Sequence, residues 1–328
     1  MRSLTLPLYT PDEYPRRAPG GILPFLAAYL HEDGEERPAV VVVPGGAYCF
    51  VSAGEGEPVA RAFYEKGYQA FVAVYTTDPT STKPLGAQPL NDVARAVRLV
   101  RRRAGEWRVQ PDRVAVCGFS AGGHLAGCLA VNWASPLIDP APDGVSCRPD
   151  AAVLGYPVVT MGEGTHPDTY RTLLGEAPSQ EMQDVMSLEK QVRADTPPMF
   201  LWHTRDDEAV PVENSLLLEE ALRAHGVVHE MHIFRTGVHG LSVATPEWSQ
   251  GDWGLDTEAT MRAAVREAIE EGAQSVFPGW PVAQLGGIEG WQEKWAARSA
   301  EKRAIRRPDE AIALWPQMAD LFLRGVWG

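Results

Sequence analysis

The chain has 328 residues, of which 45% are hydrophobic and 22% are charged, a balance typical of a globular protein with a large core. Its formal net charge of −13 disfavours a nucleic-acid partner, because contacts to phosphate need clustered Lys and Arg. No segment has the length and apolar character of a membrane span, and residues 1–17 lack a sustained apolar run. The sequence therefore predicts a cytoplasmic protein without a membrane partner.

Short apolar segments rich in β-branched residues alternate with amphipathic helical patterns, which is typical of a mainly parallel sheet with helices on both faces. One segment reads AVVVVP without polar alternation, as expected for a strand that is buried on both faces. The predicted strands are 22–30, 39–44, 68–76, 113–119, 151–159, 198–204 and 228–236. The predicted helices are 58–67, 89–107, 122–133 and 210–226.

Two regions interrupt this alternation within what we expect to be a single domain, residues 1–328. Residues 160–197 form an insertion between two strands that would lie above the sheet and could act as a lid. Residues 245–310 predict an accessory insertion that is rich in glycine, charge and tryptophan. Its indoles either form the core of an extra helical layer, or one or two of them line a substrate cleft. The tryptophans are Trp248, Trp253, Trp280, Trp291 and Trp295.

Residues 118–122 read GFSAG and lie between a predicted strand and a predicted helix. This is the G-x-S-x-G pattern, in which the serine lies on a strained strand-to-helix turn that exposes its hydroxyl group. Side chains larger than glycine at positions 118 and 122 would collide with the neighbouring strand and helix. The start of the following helix offers backbone N–H groups to an anion. The pattern therefore predicts Ser120 as a nucleophile.

A serine hydroxyl is a weak nucleophile that needs a base, and in this architecture an acid and then a histidine follow the serine along the chain. Of the eight histidines, His239 lies just past the last predicted strand, with glycines close by on both sides. The acid should follow the strand 198–204, where Asp206 and Asp207 are both within reach of an imidazole. The spacing from Pro211 favours Asp207.

Acyl transfer also needs preorganised N–H donors for the developing oxyanion. One predicted donor is the amide of Ala121, directly after the nucleophile. The second is predicted in the glycine-rich loop PGGAYCF after the second strand, at the amide of Gly46 or Ala47. Tyr48 and Phe50 of the same loop are candidates for lining the acyl pocket, with membership of the core as the alternative.

The four cysteines form no C-x-x-C pair, so the sequence predicts no metal site. Cys117 and Cys128 lie in apolar segments and are predicted to be buried thiols. The predicted chemistry needs neither a metal ion nor an organic cofactor.

Four stretches of the chain together resemble the α/β-hydrolase superfamily: VVVPGGAY, GFSAGGHLA, DTPPMFLWHTRDDEAVPVENS and GVHGLS. The resemblance is closest to the carboxylesterases grouped with acetyl-xylan-esterase-like and dienelactone-hydrolase-related proteins, whose C-terminal helix resembles residues 313–323. It implies an α/β-hydrolase fold with Ser120, Asp207 and His239 as a catalytic triad. Proline stands where many relatives open an HGG motif with histidine, and residues 245–310 have no counterpart in the simplest members.

The sequence therefore predicts a serine carboxylesterase that hydrolyses short-chain esters, with acetyl favoured, through an acyl-enzyme. The resemblance, together with a supply of tryptophan suited to stacking on sugar rings, favours a small-molecule ester or an acetylated oligosaccharide as substrate. Two alternatives remain open: a peptidase or amidase on the same fold, and a non-catalytic ligand-binding relative. The oligomeric state also remains open.

Overall fold

Eight strands form one central sheet in the part of the chain that the computed structural model describes, residues 1–16, 21–81, 83–277 and 280–328. The strands are β1 (Arg2–Pro7), β2 (Phe25–Leu30), β3 (Arg37–Val43), β4 (Gln69–Val74), β5 (Val109–Phe119), β6 (Ala151–Gly155), β7 (Met199–Thr204) and β8 (His229–Phe234). Their order across the sheet is β1-β2-β4-β3-β5-β6-β7-β8. The β1–β2 and β2–β4 pairs are antiparallel and the other neighbouring pairs are parallel, which confirms the predicted mainly parallel sheet.

Helices connect most of the strands and extend the chain beyond the last one. They are α1 (Glu57–Tyr64), α2 (Gln88–Arg102), α3 (Ala104–Trp107), α4 (Ser120–Asn132), α5 (Pro167–Leu174), α6 (Gln180–Met186), α7 (Glu213–Ala224), α8 (Pro246–Ser249), α9 (Ala259–Glu270), α10 (Gly287–Ile305) and α11 (Trp315–Trp327). None of these helices is both long enough and apolar enough to cross a lipid bilayer.

The sheet separates two apolar cores, one on each face. Because side chains alternate along a strand, Val41 and Val43 of β3 enter one core while Val40 and Val42 enter the other. Helices α2, α4 and α7 cover the first face, and α1 and α11 cover the second. Helices on both faces are therefore confirmed, and burial on both sides explains why β3 lacks polar alternation.

One strand is not predicted, and two predicted elements are interrupted by local backbone geometry. The sequence pattern does not predict β1, a mostly exposed edge strand of 6 residues. The predicted helix 89–107 divides at Arg103, whose φ of −100° and ψ of 14° separate α2 from α3. The predicted strand 151–159 ends at Gly155, because Tyr156 adopts a left-handed φ of 36° and the following proline has no N–H for the ladder.

The two interruptions of the alternating pattern both contain helices. Residues 160–197 contain α5 and α6, and residues 245–310 contain α8, α9 and α10. In the second segment, Trp280 and Trp291 are buried in an apolar cluster with side chains of α9. Pro278 and Gly279 of this segment lie outside the described residues. The single-domain organisation stays a prediction.

The turn between β5 and α4 is packed backbone against backbone. A Cβ atom added at Gly122 would collide with the carbonyl oxygens of Val43 and Pro44 at the end of β3. One added at Gly118 would collide with the carbonyl group of Gly122. Both glycines of the GFSAG pattern are therefore required by close approach of the main chain.

The substitution Gly122→Ala is expected to lower the free energy of unfolding by about 1–3 kcal/mol, because two elements must separate to admit one methyl group. Unfolding in urea measures this. Gly105→Ala in α3 is the matched control, since nothing lies within 4 Å of its added Cβ atom, and we expect no loss of stability there. An equal effect at both positions would contradict the packing account.

Candidate active site

Ser120 lies at the junction of β5 and α4, with a φ of 54° in the left-handed region that residues other than glycine rarely adopt. Phe119 before it is extended, with φ of −131° and ψ of 138°, so the chain turns sharply at the serine. The Ser120 carbonyl group accepts a hydrogen bond from the Val158 amide at 3.1 Å, which ties the turn to the segment after β6.

His239 and Asp207 extend from Ser120 in one hydrogen-bonded line. Ser120 Oγ lies 2.9 Å from His239 Nε2, and His239 Nδ1 lies 2.6 Å from Asp207 Oδ2. With the proton on Nδ1, that nitrogen donates to the carboxylate and Nε2 accepts from the serine hydroxyl. The three side chains follow β5, β8 and β7, so the carboxyl ends of parallel strands bring them together. Asp206, the alternative acid, is exposed.

Asp207 is 6% exposed and is held from several sides. Its Oδ1 accepts hydrogen bonds from the amides of Ala209 and Val210, both at 2.9 Å, and His203 Nε2 lies 3.4 Å from its Oδ2. Burial alone would raise the pKa of Asp207, but the hydrogen bonds from His203 and His239 outweigh it and hold that pKa well below its ordinary value. The carboxylate therefore stays ionised near neutral pH.

The 44–50 loop, which follows β3, passes directly against the serine. A Cβ atom at Gly45 would come within 2.9 Å of Ser120 Cβ, so only glycine permits this approach. Gly46 and Ala47 have positive φ values of 125° and 55°, and both line the cavity in front of the serine. Among the described residues, no hydrogen-bond acceptor is found for the amides of Gly46, Ala47 or Ala121. All three predicted donors remain available to an oxyanion.

Pro44 stands at the position where many relatives have the histidine of an HGG motif. Side chains from other parts of the chain anchor the 44–50 loop instead. The Tyr75 hydroxyl group donates to the Pro44 carbonyl group at 2.7 Å. The buried carboxylate of Glu55 accepts a hydrogen bond from the Gly45 amide at 2.8 Å. The loop is thus fixed at two successive residues, Pro44 and Gly45.

Glu55 also joins the 44–50 loop to the loop that carries His239. Its second oxygen accepts from the Tyr156 hydroxyl group at 2.7 Å, and the same hydroxyl oxygen accepts from the Ser242 amide at 3.1 Å. The Tyr156 ring packs edge-on against the His239 imidazole, with the ring centroids 4.9 Å apart. Sequence reasoning missed Glu55 and Tyr156, because neither belongs to a motif and no spacing relates them.

Ser120 and His239 open onto a cavity of about 170 Å³. Phe50 lines it, as one of the two interpretations of the sequence has it, and so do Trp253 and Trp295. Both interpretations of the Trp-rich segment thus apply in part, because its other three tryptophans are buried. Further wall residues from the two inserted segments are His166, Asp168, Glu258, Phe277, Arg298, Ser299, Lys302, Arg303 and Arg306.

Tyr48 is not part of the cavity wall, and the alternative interpretation of the sequence, membership of the core, applies to it. Its side chain is fully buried, and its hydroxyl group donates to His124 Nδ1 at 2.8 Å. His124 Nε2 in turn donates to the Met186 carbonyl group at 2.7 Å. Burial lowers the pKa of His124 to about 4, so Tyr48 and His124 form a hydrogen-bonded pair of neutral side chains inside the core.

The thiols of Cys117 and Cys128 are buried, as predicted. In the described part of the chain, no group of three or more His, Cys, Asp and Glu side chains is arranged to hold a metal ion.

The substitution Tyr156→Phe is expected to lower the free energy of unfolding by about 1–3 kcal/mol, because the buried Glu55 carboxylate and the Ser242 amide both lose a partner. Urea unfolding followed by fluorescence measures this. Tyr64→Phe is the matched control, since the Tyr64 hydroxyl group has no hydrogen-bond partner among the described residues. A loss no greater than that of the control would rule out a structural link through Tyr156.

The sequence of this chain is similar to a known protein family and to curated proteins. The BD-FAE family model matches residues 26–222, which is more than half of the chain. The chain is 30% identical to the acetylxylan esterase of Xylanibacter ruminicola over 258 residues, covering 74% of this chain and 50% of that protein. It is 44% identical to the endo-1,4-beta-xylanase B of Butyrivibrio fibrisolvens over 262 residues, covering 78% of this chain and 41% of that protein. The chain thus spans half or less of the length of these curated relatives.

Solved structures match it over nearly their full length. The acetyl ester-xyloside bifunctional hydrolase from Caldicellulosiruptor lactoaceticus superposes with a TM-score of 0.69 at 36% identity, covering 82% of this chain and 96% of that one. MGS-M1, an alpha/beta hydrolase enzyme from a Medee basin deep-sea metagenome library, gives a TM-score of 0.62 at 26% identity, covering 99% of this chain and 98% of that one. The chain therefore belongs to the BD-FAE family and has the α/β-hydrolase fold.

Proposed function

We propose that the chain is a serine carboxylesterase that hydrolyses short-chain esters, acetyl esters of sugars in particular, through a covalent acyl-enzyme. The observation that carries the proposal is the unbroken line from Ser120 through His239 to Asp207, with contacts of 2.9 and 2.6 Å, at the edge of a cavity. The names of similar proteins support both the ester and the acetyl group, since one is an acetylxylan esterase and another an acetyl ester-xyloside bifunctional hydrolase.

In the first half of the reaction, Ser120 Oγ attacks the ester carbonyl carbon while His239 Nε2 takes the hydroxyl proton. Asp207 accepts from Nδ1 and stabilises the imidazolium that forms. His239 then delivers the proton to the alcohol oxygen, the bond between the carbonyl carbon and that oxygen breaks, and the alcohol leaves. The acyl group remains bonded to Ser120 Oγ.

In the second half, His239 Nε2 takes a proton from water, whose oxygen attacks the acyl carbon on Ser120. The serine oxygen leaves with the proton held by His239, and the carboxylic acid is released. Both tetrahedral intermediates carry an oxyanion, which the amide of Ala121 and the amide of Gly46 or Ala47 would stabilise.

The size and the wall of the cavity support a short acyl group. Its volume of about 170 Å³ is below the roughly 300–1,000 Å³ common for sites that hold drug-sized ligands. Phe50 packs edge-on against Trp295 at 5.0 Å and against Phe277 at 6.3 Å between ring centroids, which leaves little room for a long chain. Trp253 supplies a flat apolar side chain on which a sugar ring can stack.

The substitution Asp207→Asn is expected to lower kcat for p-nitrophenyl acetate by about 10⁴, because the amide no longer holds the required imidazole tautomer. Asp206→Asn is the matched control: it removes the same charge one position away, from an exposed side chain, and should change kcat by less than about twofold. Steady-state kinetics measures both. Comparable losses at the two positions would contradict the role given to Asp207.

Acyl-chain preference tests the substrate class. The small aromatic-walled cavity predicts a higher kcat/KM for p-nitrophenyl acetate than for p-nitrophenyl octanoate. A preference for octanoate would end the short-acyl proposal and leave the esterase mechanism in place. An aminoacyl p-nitroanilide belongs in the same assay, because its faster hydrolysis would favour an amidase instead.

A further inference from the structure

One face of α10 presents four cations to the cavity that holds Ser120. Side chains three or four positions apart lie on the same side of a helix. Positions 298, 302 and 306 are four apart, position 303 is three before 306, and position 306 caps the C-terminus of α10. The four are Arg298, Lys302, Arg303 and Arg306, and all of them line the cavity. The chain as a whole has a formal net charge of −13, so a cluster of four cations contrasts with the acidic composition of the protein.

None of these four cations forms an ion pair with a carboxylate of the described residues. Arg306 Nε donates to a main-chain carbonyl group at 3.2 Å, and the Arg298 guanidinium lies 5.7 Å from the centre of a tryptophan ring. Lys302 and Arg303 make no hydrogen bond or ion pair with any described residue. Burial of the amino group in the cleft and the charges of Arg306 and Arg298 lower the pKa of Lys302 to about 8, and the charge of Glu55 only partly opposes this shift.

The carboxylates that share the cavity are engaged elsewhere. Glu55 accepts two hydrogen bonds, one from a main-chain amide and one from a tyrosine hydroxyl group. Glu258 accepts from Trp295 Nε1 at 3.0 Å, and burial raises the pKa of Glu258 above its ordinary value. Asp168 lies 3.9 Å from Arg171. Four cations thus share the cavity wall with three carboxylates, each of which already has a protein partner.

The helix dipole accounts for cations in the last turn of α10 and stabilises them there. It does not account for Arg298, which lies more than a turn earlier, or for the direction that all four side chains share into a cavity with a serine and a histidine. Guanidinium groups bind carboxylates and phosphates through paired N–H donors, which makes an anionic ligand the natural partner of this face.

We propose that this face of α10 is an anion-binding subsite, and that the physiological ester carries a carboxylate or a phosphate on its alcohol half, as an acidic or phosphorylated sugar does. The inference rests on the proposed esterase function and narrows its substrate class. The alcohol half is assigned to this subsite because the aromatic part of the cavity wall, Phe50, Phe277 and Trp295, suits the acyl half.

The test uses three acetate esters of similar shape: p-acetoxybenzoate, p-acetoxyphenyl phosphate and the neutral p-acetoxybenzamide. For each enzyme, kcat/KM of an anionic ester is divided by that of the neutral ester, and comparing this ratio between variants cancels differences in intrinsic reactivity. Lys302→Gln and Arg303→Gln are each expected to lower the ratio roughly fivefold to tenfold, because each removes one charged contact to the anion. Added salt at about 0.5 M should lower the wild-type ratio through screening.

Lys294→Gln is the matched control, because it makes the same change of charge on the same helix, at a residue that is not part of the cavity wall. Its ratio is expected to equal that of the wild type. A fall confined to the carboxylate or to the phosphate ester supports the subsite and identifies its anion. An equal ratio in all variants, or an equal fall in Lys294→Gln, overturns the subsite.

Two further outcomes separate the parts of the inference. If p-nitrophenyl hemisuccinate, with its anion on the acyl half, is the only anionic ester that responds to the variants, the assignment to the alcohol half is overturned. If the wild type hydrolyses p-acetoxybenzamide but its ratio responds to neither variant nor salt, the subsite alone fails. If the wild type hydrolyses none of the esters, the proposed esterase function fails, and the subsite with it.

Discussion

The close approach of the 44–50 loop to the strained turn at Ser120 is the constraint on which the rest of the site depends. Gly45 lets the loop lie against Ser120 Cβ, and Gly122 lets α4 begin against the end of β3. A non-glycine residue with a φ of 54° is disfavoured by about 1–3 kcal/mol and persists only where the surrounding structure leaves no alternative. The main chain of the 44–50 loop and the end of β3 pack against this turn and confine it. This packing fixes the direction of the Ser120 hydroxyl group and of the neighbouring amides.

The buried carboxylates of Asp207 and Glu55 connect this turn to the other loops of the site through hydrogen bonds. Asp207 remains ionised because two amides donate to one of its oxygens and two imidazoles face the other. Glu55 lies between the Gly45 amide and the Tyr156 hydroxyl group, which also accepts from the loop that carries the histidine. Each carboxylate thus ties together loops that follow different strands. The position of the imidazole and the position of the oxyanion donors therefore depend on the same set of hydrogen bonds.

Sequence patterns predict the parts of this site that local geometry determines. The GFSAG pattern specifies a backbone turn, and His239 and its acid follow because the carboxyl ends of parallel strands meet at one edge of a sheet. Glu55 and Tyr156 are 101 positions apart and meet only through packing, which no motif encodes. Tyr48 is the opposite case: an aromatic side chain in a loop at the site is buried in the core, on a backbone with φ of 60°. The helix that carries the cations of 298–306 is not among the predicted helices, and no motif indicates what its cationic face contacts.

The central claim is that Ser120 carries the acyl group during turnover. Rapid quenching of the reaction with p-nitrophenyl acetate, followed by mass spectrometry of the proteolytic peptides, tests it most directly. We predict a single acetyl group on the peptide that contains Ser120, together with a loss of about 10⁶ in kcat for Ser120→Ala. Acetylation of a different residue in the wild type, or a Ser120→Ala enzyme that turns over at the wild-type rate, would contradict the account.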